Sequence, residues 1–361
     1  MNRIKDILVT VMFVGLLAVV FIGNIIIKDS TISVSERRKL AQFPKITMEK
    51  ILNGKVSKEF DDYTVDQFIK RDFFRGIKNL WSTKIYVQKD DNKMFVRDDS
   101  IFKMEYPLVE NNVRKNAEKI QKIYDKHLKE MNVYYAIIPD KNFYLENDDH
   151  LKMDYEKLKD IMSNQLEELT YIDIWEELEL DDYYRTDLHW KQEEILQVSD
   201  KIQTDMKIVK NINFEGYEIK DVGNFYGTYY GQTTAKVTPD DMFILSNSTI
   251  ENASTYNYET KTTGKVYDEK ETKDKYDIYL SGATPLIRID NPNSNNEKEL
   301  LLFRDSFGSS IAPLLIENYK TITLIDLRYI SSELLDEFIE FKNQDVLFLY
   351  STLILNQNVL K

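Results

Sequence analysis

Between Glu299 and Tyr350 short apolar segments alternate with helical ones. Glu299–Phe303, Thr321–Leu327 and Val346–Tyr350 read as strands, and Ser309–Tyr319 and Ser332–Phe341 as the helices between them. Strands that are apolar throughout, rather than at every second residue, are buried on both faces, and helical crossovers leave successive strands parallel. The chain is therefore expected to be α/β, with a mostly parallel, doubly wound sheet. The same rhythm occurs upstream. Val113, Ala117, Ile120, Ile123, Tyr124 and Leu128 mark a helix, Val133–Ile138 a strand stopped by Pro139, Tyr155–Leu169 a helix and Tyr171–Trp175 a strand. Residues 212–296 break the pattern with many Thr, Asn, Asp, Gly and Tyr, and read as a β-rich or loop-rich insertion. Its tyrosines either line a carbohydrate groove or pack a small core of the insertion itself. With 361 residues, 42% of them hydrophobic, the chain has material for one large domain or two smaller ones.

The N-terminus carries a second constraint. Ile7 to Ile27 is apolar and uncharged, and at ~1.5 Å per helical residue it covers a ~30 Å hydrocarbon core. It exceeds the apolar core of a secretory signal, and Gly23-Asn24-Ile25-Ile26-Ile27 offers no small-x-small cleavage site, so a retained anchor is expected. Arg3 and Lys5 precede it while Lys28, Arg37, Arg38 and Lys39 follow, so charge votes weakly on orientation. The short head favours the N-terminus inside and the C-terminal region outside. This gives a head at 1–6, an anchor at 7–27, a juxtamembrane linker at 28–47 ending near Phe43-Pro44, and a domain at 48–361 opening with amphipathic helices between Val56 and Val87 (Phe60, Tyr63, Phe68, Phe73, Ile77, Leu80, Trp81). A formal net charge of −13 without a basic stripe argues against a nucleic-acid partner. The absence of cysteine excludes disulfides and thiolate metal sites.

Two distant segments hold the parts of an activated serine. Ser306 follows the apolar strand 299–303 and precedes a helix, the position where open α/β sheets place their ligands and where helix N–H groups meet a developing oxyanion. The plain alternative is that Asp305 or Ser306 only caps that helix. Asp187 and His189 are two residues apart, so in extended backbone they point the same way, and Trp190 leads into a helix over Lys191–Met206. Asp-x-His can also supply two metal ligands. The other histidines, His127 in a helical pattern and His150 beside the acidic loop Glu146–Asp149, have no ligand spacing, and no metal is expected.

Tyr184-Arg185-Thr186-Asp187-Leu188-His189-Trp190, Arg304-Asp305-Ser306-Phe307-Gly308, Ile325-Asp326-Leu327-Arg328-Tyr329 and Asp345–Tyr350 together resemble the DHHW protein family, which is similar in turn to the SGNH-hydrolase-like proteins of alginate O-acetylation. Glu36–Ala41, Asp66–Asp72 and Pro139-Asp140-Lys141 extend the resemblance over nearly the whole soluble region. It implies an SGNH-like three-layer α/β/α domain, membrane-anchored and extracytoplasmic, whose catalytic blocks come in permuted order. Ser306 then matches the nucleophile, His189 the base and Asp187 the acid. Two positions depart from the pattern: Arg304 stands where Gly-Asp-Ser has glycine, and Leu188 replaces the first histidine of the family motif. Gly223 and Asn224 are oxyanion candidates beside the Ser306 amide, and Arg304, Trp190, Tyr184, Arg185, Lys141 and Arg328 are candidates for that role or for substrate binding. The resemblance implies acetyl transfer to a cell-surface or secreted polysaccharide, with a membrane-bound O-acyltransferase supplying the acyl group and no cofactor. A carbohydrate acetylesterase and a non-catalytic carbohydrate-binding or scaffold protein of an envelope complex are the alternatives.

Overall fold

The computed structural model describes residues 2–33, 38–80, 93–145, 150–208, 216–233, 237–270, 272 and 274–361. Glu36 and Arg37, Trp81 to Val87, the acidic loop 146–149 and the first residues of the 212–296 stretch lie outside the described residues. Two compact units divide the chain, residues 1–92 with 230–236, and residues 93–229 with 237–361. The helices read between 56 and 80 thus group with the apolar N-terminal helix rather than with the sheet.

In the first unit α1 (Asn2–Ile26) is long and apolar enough to cross a membrane, and its side chains are almost all exposed. A two-residue pairing of β1 (Ile32–Ser33) with β2 (Arg38–Lys39) follows, then α2 (Met48–Leu52), α3 (Lys55–Asp66) and α4 (Arg71–Leu80). The segment after α1 is tied down. Ala41 N–H donates to Asp66 Oδ2 at 2.8 Å, and the Gln67 amide reaches Ser30 O and Ala41 O at 2.9 and 2.8 Å.

The second unit runs β3 (Met94–Arg97), β4 (Ser100–Lys103), α5 (Glu110–Ile123), β5 (Val133–Ile138), α6 (Tyr155–Gln165), β6 (Thr170–Ile172), α7 (Leu196–Asp205), β7 (Glu218–Phe225), the start of a short α8 (Thr228–Thr233) whose residues from 230 on group with the first unit, β8 (Asp240–Ser246), α9 (Ser248–Asn252), β9 (Ser254–Asn257), β10 (Thr262–Lys265), β11 (Leu286–Asp290), β12 (Glu299–Arg304), α10 (Phe307–Leu315), β13 (Thr321–Ile325), β14 (Asp345–Ser351) and α11 (Thr352–Leu355). Among the described residues the main sheet has eight strands in the order β10-β9-β11-β13-β12-β14-β5-β6. From β13 to β6 all pairs are parallel, and every residue of β5 is buried, as an all-apolar strand requires. The α6 crossover from β5 to β6 and the α10 crossover from β12 to β13 run in opposite directions along the sheet. Right-handed connections therefore put them on opposite faces, giving three layers. The reversal creates a crevice at the carboxyl ends of the central strands.

Four sequence expectations are revised. Ser332–Phe341 is only a 3-10 turn at Ser332–Glu337, with Leu335 and Ile339 turned into the core. Trp175 leaves the strand for a 3-10 turn and donates its indole N–H to Ile137 O at 2.8 Å. The 212–296 stretch does not pack a core of its own. β11 pairs antiparallel with β13 in five residue positions, β9 and β10 extend the sheet beyond it, and Tyr267, Tyr276 and Tyr279 join the main core. Residues 184–189, finally, are not extended: a Tyr183–Trp190 bridge and a Tyr184 N–H to His189 O bond of 3.0 Å close them into a tight loop.

Candidate active site

At the carboxyl end of β12 the chain turns straight into α10, and Ser306 stands at the junction. Asp305 shapes this turn, its Oδ1 accepting Phe307 N–H at 3.0 Å and its Oδ2 accepting Ser351 N–H at 2.8 Å from the neighbouring β14. With that role filled by Asp305, the Ser306 side chain makes no cap and its backbone is already helical. Its hydroxyl instead meets His189 Nε2 at 2.7 Å. The N–H of Gly308 is bonded to Asp305 O, whereas Ser306 N–H has no acceptor among the described residues, which leaves it available to an oxyanion.

His189 is ordered from the opposite edge. Its Nδ1 lies 2.5 Å from Asp187 Oδ1, which also accepts the His189 backbone N–H at 3.0 Å, while Asp187 Oδ2 accepts Thr228 N–H. With Nδ1–H donated to the carboxylate, Nε2 is left to accept the serine proton. Asp187 is fully buried, so its three donors replace the water it has lost. Gly227 permits this approach: a Cβ there would lie 2.2 Å from Asp187 Cβ.

The loop carrying Asp187 is clamped at both of its backbone polarities. Asp240 accepts Arg185 N–H and Thr186 N–H at 2.8 and 2.9 Å and the Thr186 hydroxyl at 2.5 Å. Lys141, just past β5, donates to Tyr184 O and Arg185 O at 3.0 and 3.2 Å. Burial pushes the Lys141 ammonium down to about 7, with Asp187, Asp240 and Asp140 opposing the shift. Its neighbour Asp140 is buried too, and desolvation raises it against bonds from Asn142, Thr352 and Tyr155.

Other candidates occupy supporting positions. Trp190 is fully buried and donates to Ser310 Oγ at 2.8 Å, one helical turn after Ser306. Tyr184 packs edge-on against Phe225, ring centroids 4.9 Å apart. The Arg185 guanidinium is bound to Asp99 Oδ2 at 3.1 Å and Pro239 O at 2.8 Å. Arg304 is fully buried with Nη1 3.5 Å from Asp326 Oδ2, and Arg328 grips the same carboxylate at 2.8 and 2.6 Å. Desolvation lowers the Arg304 pKa. Gly308 gives this arginine its room, since a Cβ there would stand 2.5 Å from Arg304 Cβ. Gly223 sits at positive φ in a bulge of β7 and the exposed Asn224 follows it; neither bonds to Asp187, His189 or Ser306.

Sequence reasoning missed Tyr276. Its ring stacks on His189 with centroids 3.9 Å apart and planes 12° from parallel, and its hydroxyl donates to Ser310 Oγ at 2.9 Å. Among the described residues no group of His, Asp and Glu has metal-binding geometry.

Residues 169–325 match the family model described as DHHW protein. No curated protein matches the chain. Among solved structures, a DHHW family protein from Eubacterium siraeum is similar with a TM-score of 0.64 at 19% identity, over 74% of this chain and 93% of that one. Bacillus cereus PatB1 is similar with a TM-score of 0.58 at 20% identity, over 75% of this chain and 99% of PatB1. A PatB1 structure with a sulfonyl adduct gives 0.57 at 18%, over 74% and 96%. At these identities the likeness is one of fold. Over residues 169–325 the chain is similar to the DHHW protein family.

Proposed function

We propose that this protein is a serine-dependent O-acyltransferase that moves acetyl groups onto hydroxyls of a cell-surface or secreted polysaccharide. The observation that carries the reading is the unbroken chain Asp187–His189–Ser306, with contacts of 2.5 and 2.7 Å at the carboxyl end of a parallel sheet. His189 Nε2 takes the Ser306 proton as Oγ attacks the acyl carbonyl, and Asp187 holds the imidazolium that results. The Ser306 amide faces the oxyanion as it forms. Collapse expels the donor's oxygen, protonated by His189, and leaves an acyl-serine. An incoming sugar hydroxyl then gives its proton to His189, attacks the acyl carbon and restores Ser306.

The resemblance to the alginate O-acetylation proteins favours transfer over hydrolysis and an extracytoplasmic site. In that reading α1 is the anchor, the N-terminus is inside, and a membrane-bound O-acyltransferase presents the acyl group. Transfer and hydrolysis use the same three side chains, so the acceptor distinguishes them. The test is to offer 4-nitrophenyl acetate with a polysaccharide or oligosaccharide acceptor and to follow both nitrophenol release and acetyl on the sugar. The wild type is expected to acetylate the sugar and Ser306→Ala to do neither. Full activity of Ser306→Ala would sink the serine assignment, and acetate release with no acetyl on any sugar would make the protein an esterase.

A further inference from the structure

The helices of the first unit hold an aromatic cluster facing outward beside the foot of α1. Phe68, Phe73 and Phe74 pack edge to face at 5.5 and 5.6 Å, yet they remain 37%, 63% and 46% exposed, and Ile77 beside them is 39% exposed. On α4 residues 73, 74 and 77 share one face while Arg71, Arg75 and Lys78 share another. A short surface helix with an outward apolar face fits an interface between hydrocarbon and headgroups. An exposed apolar patch of this kind marks an interaction surface.

The level of that surface is fixed by α1. Ile69 N–H, in the turn before α4, donates to Asn24 Oδ1 at 2.7 Å. Ile69 also presses on bare Gly23, where a Cβ would lie 2.8 Å from its Cδ1. Gly23 and Asn24 belong to the last turn of α1, and the first charges, Lys28 and Asp29, come just beyond. Tyr63 closes the same joint by donating to Asp29 at 3.1 Å. If α1 spans a bilayer, its final turn is where hydrocarbon gives way to headgroups, and Ile69, between Phe68 and the start of α4, is bonded to that turn. The basic side of α4 is turned into the unit: Arg71 pairs with Asp66 and Asp72, each at 3.7 Å, and Arg75 with Asp72 at 3.5 Å and with Gly231 O and Gln232 O at 3.2 and 3.3 Å, so the phenylalanine side is the one turned outward.

We infer that the Phe68–Ile77 surface is a second membrane contact, lying in the interfacial layer around α1 with its phenylalanines in the acyl boundary of a lipid bilayer. This rests on reading α1 as an anchor, and it goes further in giving the unit a fixed depth. Such a collar would hold the juxtamembrane unit against the bilayer instead of letting it swing on a linker.

Because the chain has no cysteine, one introduced cysteine takes a single label. Full-length Phe73→Cys and Ile77→Cys proteins would be labelled with an environment-sensitive fluorophore and placed in phosphatidylcholine–phosphatidylglycerol vesicles. Leu17→Cys on α1 serves as the buried reference and Thr263→Cys on β10 as the aqueous one. The expected result at 73 and 77 is a blue shift with quenching by lipid-borne nitroxides, absent at 263. Aqueous emission at 73 and 77 with position 17 embedded would overturn the collar and leave the anchor standing. Aqueous emission at position 17 would overturn both. A blue shift lost on dilution to one copy per vesicle would assign the surface to a second copy of the chain and overturn the lipid contact. Two separate label positions, each checked for native circular dichroism, guard against a misfolded variant.

Discussion

Tyr276 lies flat against His189, and the hydroxyl that fixes the tyrosine's tilt is bonded to Ser310, one turn along the helix that begins beside Ser306. The His189 imidazole and the Ser306 hydroxyl are thus braced on the same helix. Tyr276→Phe keeps the face and loses one hydrogen bond, an expected cost of about 1 kcal/mol and a few-fold in kcat. Tyr276→Ala opens the core, at about 3–5 kcal/mol, and lets His189 turn. Urea unfolding with kinetics on 4-nitrophenyl acetate checks both, and kcat should fall more than KM rises.

Asp187 holds the His189 proton on Nδ1. Asparagine there is nearly the same size but presents a neutral amide, so the imidazole is no longer fixed in the tautomer that leaves Nε2 free. In the serine-protease template this change costs about 10⁴ in kcat with geometry intact, and a drop of that order is expected for Asp187→Asn. Gly227→Ala attacks the same carboxylate from outside, through a Cβ 2.2 Å from Asp187 Cβ. Overpacking of this kind costs about 1–3 kcal/mol, and activity should fall with it.

Lys141 makes a pH-dependent prediction. Its pKa falls from 10.5 to about 7 on folding. Between those values the unfolded chain holds a proton that the folded chain lacks, so this residue makes stability rise with pH across the window; below about pH 7 its penalty is constant. The slope is at most ~1.4 kcal/mol per pH unit. Lys141→Met removes it, so the difference in unfolding free energy between wild type and variant should shift in favour of the wild type from pH 7 to 9. The variant also strips the donor from Tyr184 O and Arg185 O, and its kcat should fall.

Arg304 and Asp326 are both fully buried, and Arg328 shares the carboxylate. Asp326→Asn leaves two arginines facing a neutral amide, at an expected cost of about 3–5 kcal/mol. Arg304→Met fills similar volume without a charge and should cost less. The double variant should be more stable than Asp326→Asn alone. A thermodynamic cycle from denaturant midpoints measures the coupling, and additivity of the two changes would show that Arg304 does not depend on Asp326.

Much of the architecture was legible because parallel strands buried on both faces leave a simple trace. Val133–Ile138 and Leu300–Phe303 are apolar at every position, and each is a central strand. Ser306 was legible for the same reason, since a polar residue ending such a strand stands at the sheet's carboxyl edge. The 3-10 turn at Ser332–Glu337 was not, because Leu335 and Ile339 keep an α-helical spacing of burial on a backbone that is not an α-helix.

The sequence by itself determined the apolar helix at the N-terminus, the alternation that makes a parallel sheet, and the three residue types that meet at one edge of it. Only the tertiary structure decided what surrounds them. Tyr276 reaches His189 because β11 pairs with β13 and draws the 212–296 stretch into the main core. Asp240 and Lys141 grip the loop of Asp187 from positions far away in the chain. Arg304, which sequence set two residues before Ser306, is buried against Asp326, with Gly308 giving it room. Local periodicity reports which side of an element is buried; which partner it is buried against depends on pairings over scores of residues, and these leave no trace in the local pattern.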